Sequence, residues 1–202
     1  MPTNPPTDLS KLTLNTQTIA AGKDFGRIFW DEFSNPLGYG KTPSRFSDPS
    51  RKVATNRFGV VYLGSTFEVC FLEAVLRDLR DGKYGPVPFH LDEFDSRIYS
   101  LITVNKPLKM VDLCGNNPVQ MGIPTDVGKS SKQSLSRKWS KVFYDHPDQP
   151  DGIIYPSRLN EDFNLAVFDR AIDKLAHNTS QVLSEVPELA RMLDTFNIAI
   201  MD

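Results

Sequence analysis

Short apolar blocks alternate with turn-rich polar stretches along most of the chain, and their periods predict both strands and helices. Residues 25–30, Phe-Gly-Arg-Ile-Phe-Trp, predict a strand, and residues 58–63, Phe-Gly-Val-Val-Tyr-Leu, predict another of the buried, β-branched and aromatic kind. A helix follows directly. Phe67, Cys70, Phe71, Ala74 and Val75 recur at the spacing of one helical face, and Ser65 with Glu68 forms a capping box at its start. Further strands are expected over 97–104, 108–113, 152–155 and 165–168. Helices are expected over 131–144, where Leu135, Trp139, Val142 and Phe143 share a face, and over 180–197 despite Pro187.

Strands and helices in this irregular order indicate an α+β fold, a compact single domain of small mixed or antiparallel sheets with flanking helices, rather than a repeating βαβ unit. Residues 1–22 are rich in Pro, Thr and Asn without sustained periodicity and read as a flexible or surface-lying arm, leaving 23–202 as the body. Between the first two predicted strands, residues 31–56 hold Pro36, Gly38, Gly40, Pro43 and Pro49. A loop of that length inside a compact domain is more often functional than idle.

At 202 residues the chain can bury a sufficient core without disulfides or structural metal. Its net charge of −2 lacks the basic excess that displaces counterions from nucleic acid, so direct nucleic-acid binding is not expected. No apolar run reaches the length of a membrane span, and the N-terminus has neither the basic nor the apolar region of an export signal. Two cysteines, Cys70 and Cys114, make no disulfide framework, and a reducing cytoplasm is the expected compartment.

Several familiar motifs fail on inspection. Gly40-Lys41-Thr42 resembles the end of a phosphate-binding loop, but Asn35 stands where the opening glycine belongs and Pro43 disturbs the helix that should follow. His90, His146 and His177 lie far apart with no metal-ligand spacing, so no metal is expected. The nucleophile elbow of serine hydrolases is absent.

Three stretches together resemble the RES domain family, the toxin components paired with Xre-type antitoxins. The first is Gly26-Arg27-Ile28-Phe29. The second runs from Ser44-Arg45-Phe46-Ser47-Asp48-Pro49 through Gly59-Val60-Val61-Tyr62-Leu63-Gly64 to Phe71-Leu72-Glu73-Ala74, and the third is Asp151-Gly152-Ile153-Ile154-Tyr155-Pro156-Ser157-Arg158, followed by Ala166-Val167-Phe168. The likeness spans roughly residues 25–170. It departs from the family pattern at Phe46-Ser47-Asp48, where Trp-Asn is usual, and at Ile28, where an aromatic residue can follow the arginine. The resemblance implies a fold similar to ADP-ribosyltransferases, an activity that consumes NAD as substrate without a permanent cofactor, and an antitoxin partner. The acceptor is left open between water, phosphate and a protein side chain; a catalytically inactive module that binds a nucleotide or protein is the alternative from another class.

The residues suit that chemistry. Glu73 can stabilise positive charge developing on a ribose; alternatively it pairs with Arg77 four residues on, an ordinary helix decoration. Arg27 and Arg45 can grip a pyrophosphate through paired donors, or form surface ion pairs. Tyr62 ends a strand, where it can stack on nicotinamide or simply fill the core. Two serines compete for a ligand-binding role: Ser157 in the turn after the 152–155 strand, and Ser134 at the start of the 131–144 helix, where helix N-termini favour anions. Either can equally serve as a cap or turn residue.

Overall fold

The computed structural model describes every residue except 1–3, 9–11, 51–52, 78, 80–81, 132 and 202. Its strands are β1 (Thr16–Ile19), β2 (Asp24–Trp30), β3 (Val60–Gly64), β4 (Val87–His90), β5 (Arg97–Val104), β6 (Leu108–Asp112), β7 (Gly152–Pro156), β8 (Phe163–Phe168), β9 (Leu175–Val182) and β10 (Ile198–Met201). Its α-helices are α1 (Phe67–Phe71), α2 (Leu91–Asp95), α3 (Asn117–Gln120), α4 (Asp126–Lys129), α5 (Gln133–Asp145) and α6 (Leu189–Thr195). Eight strands form one sheet in the order β1-β6-β7-β8-β3-β2-β5-β9, and β10 and β4 form a small parallel pair. Among the described residues of the large sheet only β6 and β7 run parallel, and the crossover between them carries α3, α4 and α5. The α+β expectation holds.

Alternation along the strands sends successive side chains to opposite faces. Val60, Ile153, Ala166 and Phe168 pack on one face under Trp139, Val142 and Phe143 of α5, while Val61, Leu63, Ile154, Leu165 and Val167 build the other face. A third core, with Phe67, Phe71, Phe89, Phe94, Leu189 and Met192, fastens α1 to β4, α2 and α6. Burial of this kind contributes roughly 1.5–3 kcal/mol per large side chain.

Four local features differ from the sequence reading. The second half of the expected arm belongs to the body: β1 pairs antiparallel with β6, and Leu12 and Leu14 are buried against the α5 side of the sheet; residues 1–3 and 9–11 of that arm lie outside the described residues. The helix cap falls on Thr66, whose hydroxyl accepts from the Val69 N–H at 3.1 Å, because the Ser65 hydroxyl is taken by the Phe163 N–H. The helix then widens into a π turn over Leu72–Leu76, which rotates the apolar stripe so that Leu72 and Leu76 are buried and Ala74 is exposed. Finally, residues 180–182 continue β9 instead of opening a helix, and α6 begins only after Pro187.

Candidate active site

The sheet opens beside the site. β2 runs in full register along β5, and β3 along β8, yet β2 and β3 meet at a single pair, Gly26 with Gly64. Beyond it the strands diverge. At the junction a Cβ on Gly64 would stand 2.5 Å from the Cys70 sulfur, and one on Gly26 2.8 Å from the same atom, so only glycines let α1 sit over it.

A cavity of about 380 Å³ occupies the cleft, within the range of small-molecule sites. Arg27 and Ile28 form the β2 wall; Tyr62 and Leu63 form the β3 wall. The π turn contributes Glu73 and the residue that ends it contributes Arg77, the long loop after β2 contributes Pro43, Ser44 and Arg45, and β7 and β8 contribute Tyr155 and Asn164. π turns recur at functional sites because they re-aim side chains that a regular helix would send elsewhere. Four of the residues singled out from sequence, Arg27, Arg45, Tyr62 and Glu73, therefore share one concavity. Ser157 adjoins it, donating from Oγ to Glu73 Oε1 at 3.5 Å and accepting from the Leu159 N–H at 3.1 Å. Ser134 is exposed on the first turn of α5 and does not line the cavity.

The arginines are held by backbone carbonyls rather than carboxylates. Arg27 donates to the Pro36 carbonyl at 2.6 Å, and Arg45, itself buried, donates to the Ser130 carbonyl at 2.7 Å. Burial lowers Arg27 from its ordinary value to about 10 and also lowers Arg45, although Tyr155 and, less strongly, Glu73 pull Arg45 back up. Arg27 keeps its charge at neutral pH, and a carbonyl partner does not neutralise a guanidinium. Such a site favours an anion. Among the described residues, no ion pair within 4 Å joins Glu73 to Arg77.

Tyr62 performs a structural task. Its phenol oxygen accepts from the Phe46 N–H at 2.8 Å and shares a hydrogen bond of 2.9 Å with Ser44 Oγ, which fastens the loop carrying Arg45. Burial raises the Tyr62 phenol, and raises Tyr155 still further, so both rings stay protonated. The Cys70 thiol, pushed up by burial to about 12, is a neutral wall and not a nucleophile at neutral pH. Arg77, Tyr155 and Asn164 were not among the sequence candidates. The signal for two of them lay in register: Tyr155 and Asn164 are paired across β7 and β8, on the face that carries Tyr62.

A model of the RES domain matches residues 18–191. The chain belongs to the RES domain family. Within reach of that family stands a protein described as probable toxin y4kH of Sinorhizobium fredii (strain NBRC 101917 / NGR234), 35% identical over 127 residues, a match covering 62% of this chain and all of that protein. The fold is also found in the crystal structure of the M. tuberculosis MbcT–MbcA toxin–antitoxin complex, with a TM-score of 0.62 and 16% identity over 88% of this chain and 92% of the matched one. The RES match thus encloses every residue lining the cavity. Among the described residues no His, Cys, Asp and Glu cluster could hold a metal ion, and no helix is long and apolar enough to cross a membrane.

Proposed function

We propose that this RES-domain protein is the toxin of a toxin–antitoxin pair and that it cleaves NAD at the bond between nicotinamide and ribose. The observation that carries this reading is the meeting of Arg27, Arg45 and Arg77 with the carboxylate of Glu73, the single one among the described residues lining the cleft. The guanidinium groups suit the pyrophosphate, and the carboxylate suits the reacting sugar.

The bond to be broken joins C1′ of the ribose to a cationic pyridinium nitrogen. The electron pair leaves with neutral nicotinamide, so no general acid is required, and positive charge builds on the ribose. Glu73, beside that charge, stabilises the oxocarbenium-like state; an acceptor oxygen then bonds to C1′ and releases its proton to the carboxylate or solvent. Loss of one such preorganised contact costs about a hundredfold or more in rate. Water and phosphate are the acceptors this reading admits first, and transfer to a protein side chain is the variant that would make the chain an ADP-ribosyltransferase.

Toxicity follows from loss of a cofactor used throughout the cytoplasm, where this reading places the protein, and an antitoxin that covers the cleft would silence it. The relatives support this part: one is described as a probable toxin and the other fold match is a toxin–antitoxin complex. The test is to incubate purified protein with NAD, with and without inorganic phosphate, and to resolve the products by chromatography. Nicotinamide with ADP-ribose or its phosphorylated counterpart supports cleavage; bound but intact NAD would mark a binding module.

A further inference from the structure

Asn164 carries a feature that the cleavage reading leaves unused. Asn164 is 5% exposed, it is among the residues lining the cavity, and its amide Nδ2 is buried without a hydrogen-bond partner. Most buried polar groups in folded proteins are satisfied, and a donor left unpaired is costly. A donor kept in this condition at the wall of a ligand cavity is a donor waiting for an acceptor that arrives with the ligand.

Register identifies the acceptor. Asn164 stands opposite Gly64 on β3 and opposite Tyr155 on β7, and the same hairpin continues to Ser157, which reaches Glu73. Asn164 therefore belongs to the carboxylate end of the cavity. Opposite it on β3, Gly64 carries no side chain, and the room this leaves is taken by Cys70 and Val69 of α1. An anionic phosphate is disfavoured beside Glu73, while a hydroxyl is matched there: it can donate to the carboxylate and accept from an amide in the same geometry. We infer that Asn164 is a substrate-binding residue whose Nδ2 donates to a hydroxyl of the ribose held by Glu73, making the site selective for a ribose over a deoxyribose at that position. The inference rests on the NAD reading and adds to it a second, neutral contact to the sugar.

The consequence is an opposition between stability and binding. Replacing Asn164 by leucine, of similar volume, removes the unpaired donor, so the ligand-free protein should unfold no earlier than wild type and by up to about 2–4 °C later. Affinity for NAD should fall about tenfold, the yield of one neutral hydrogen bond. The experiment measures binding by calorimetry for wild type, Asn164→Leu and Asn164→Ser, with NAD and with analogues lacking the 2′ or the 3′ hydroxyl on the nicotinamide ribose. Wild type should discriminate against one of the two analogues, and both variants should lose that discrimination. Equal binding of NAD by wild type and both variants would overturn the role of Asn164 while leaving the cleavage reading intact. An unchanged preference for NAD over both analogues in the variants would also overturn it. Failure of wild type to bind NAD at all would instead sink the functional reading and the ribose contact with it. Asn164→Ser keeps a small polar side chain and guards against a leucine variant that fails to fold.

Discussion

The phenol of Tyr62 accepts a hydrogen bond from the backbone N–H of Phe46 at 2.8 Å, and so a strand residue latches the loop that delivers Arg45. Phe46 is completely buried and stacks edge-on against Tyr155, with ring centroids 4.9 Å apart, so the latch also sets the floor of the cleft. The long segment between β2 and β3, whose described residues form no strand or α-helix, is thereby tied to the sheet at this point.

Tyr62→Phe keeps the ring and removes the oxygen, leaving the buried Phe46 N–H without its acceptor. The expected cost is roughly 1–3 kcal/mol of stability. Amide hydrogen exchange should rise at residues 44–47 before it rises in β3 or β8. Uniform exchange across the protein, with an unchanged unfolding midpoint, would show that the latch is idle.

Gly64→Ala should be more damaging than an alanine elsewhere in a strand. The new Cβ would meet the Cys70 sulfur at 2.5 Å and Val69 Cγ1 at 2.8 Å, which requires α1 to shift. Overpacking of this sort costs about 1–3 kcal/mol. Because α1 leads into the π turn bearing Glu73, the rate of NAD cleavage should fall further than the loss of folded protein explains, as measured by nicotinamide release normalised to the folded fraction.

Arg27→Lys makes NAD binding sensitive to pH. In the wild type the guanidinium, lowered by burial to about 10, stays charged through neutrality, so its contribution to anion binding is constant between pH 6 and about 9. Lysine starts from an ordinary value of about 10.4, and the same burial brings its loss of charge well below pH 10. A base loses its proton as pH rises, so affinity in the variant should decline toward alkaline pH while wild type holds steady. Titrations of NAD binding across pH 6–9 check this; parallel profiles would place the pyrophosphate away from residue 27.

The two candidate serines separate cleanly. Ser157 reaches Glu73 from its hydroxyl, whereas Ser134 is exposed on α5 outside the cavity. Ser157→Ala should reduce NAD turnover by about tenfold, the effect of one hydrogen bond to a charged group; Ser134→Ala should match wild type. Loss of activity in the second variant alone would move the anion site to the helix.

Much of this arrangement is legible along the chain, and the residues that are not share a cause. β2, β3, β5, β6, β7 and β8 carry apolar runs or alternation because both or one of their faces are buried. β9 escapes because it is an edge strand: His177, Asn178, Thr179 and Ser180 are exposed and leave no apolar period to read. β1, also at an edge, hides in the same way within a polar N-terminal stretch. For the site, Arg27 and Glu73 stand out as charges within apolar blocks. Asn164 does not, because its significance is an unpaired amide in a cavity closed by segments about a hundred residues apart in sequence, a relationship that only tertiary packing creates. The π turn is invisible for a similar reason, since the apolar spacing through Ala74 fits a regular helix, and only the folded chain brings Leu72 and Leu76 into the core shared with β4 and α6.

Glu73 is tested by the rate of nicotinamide release by Glu73→Gln against wild type, at equal folded concentration and saturating NAD. The substitution keeps size and hydrogen-bonding capacity while deleting the negative charge. The variant should still bind NAD and release nicotinamide at least about a hundredfold more slowly. Release at the wild-type rate, or no release from wild type itself, would contradict it.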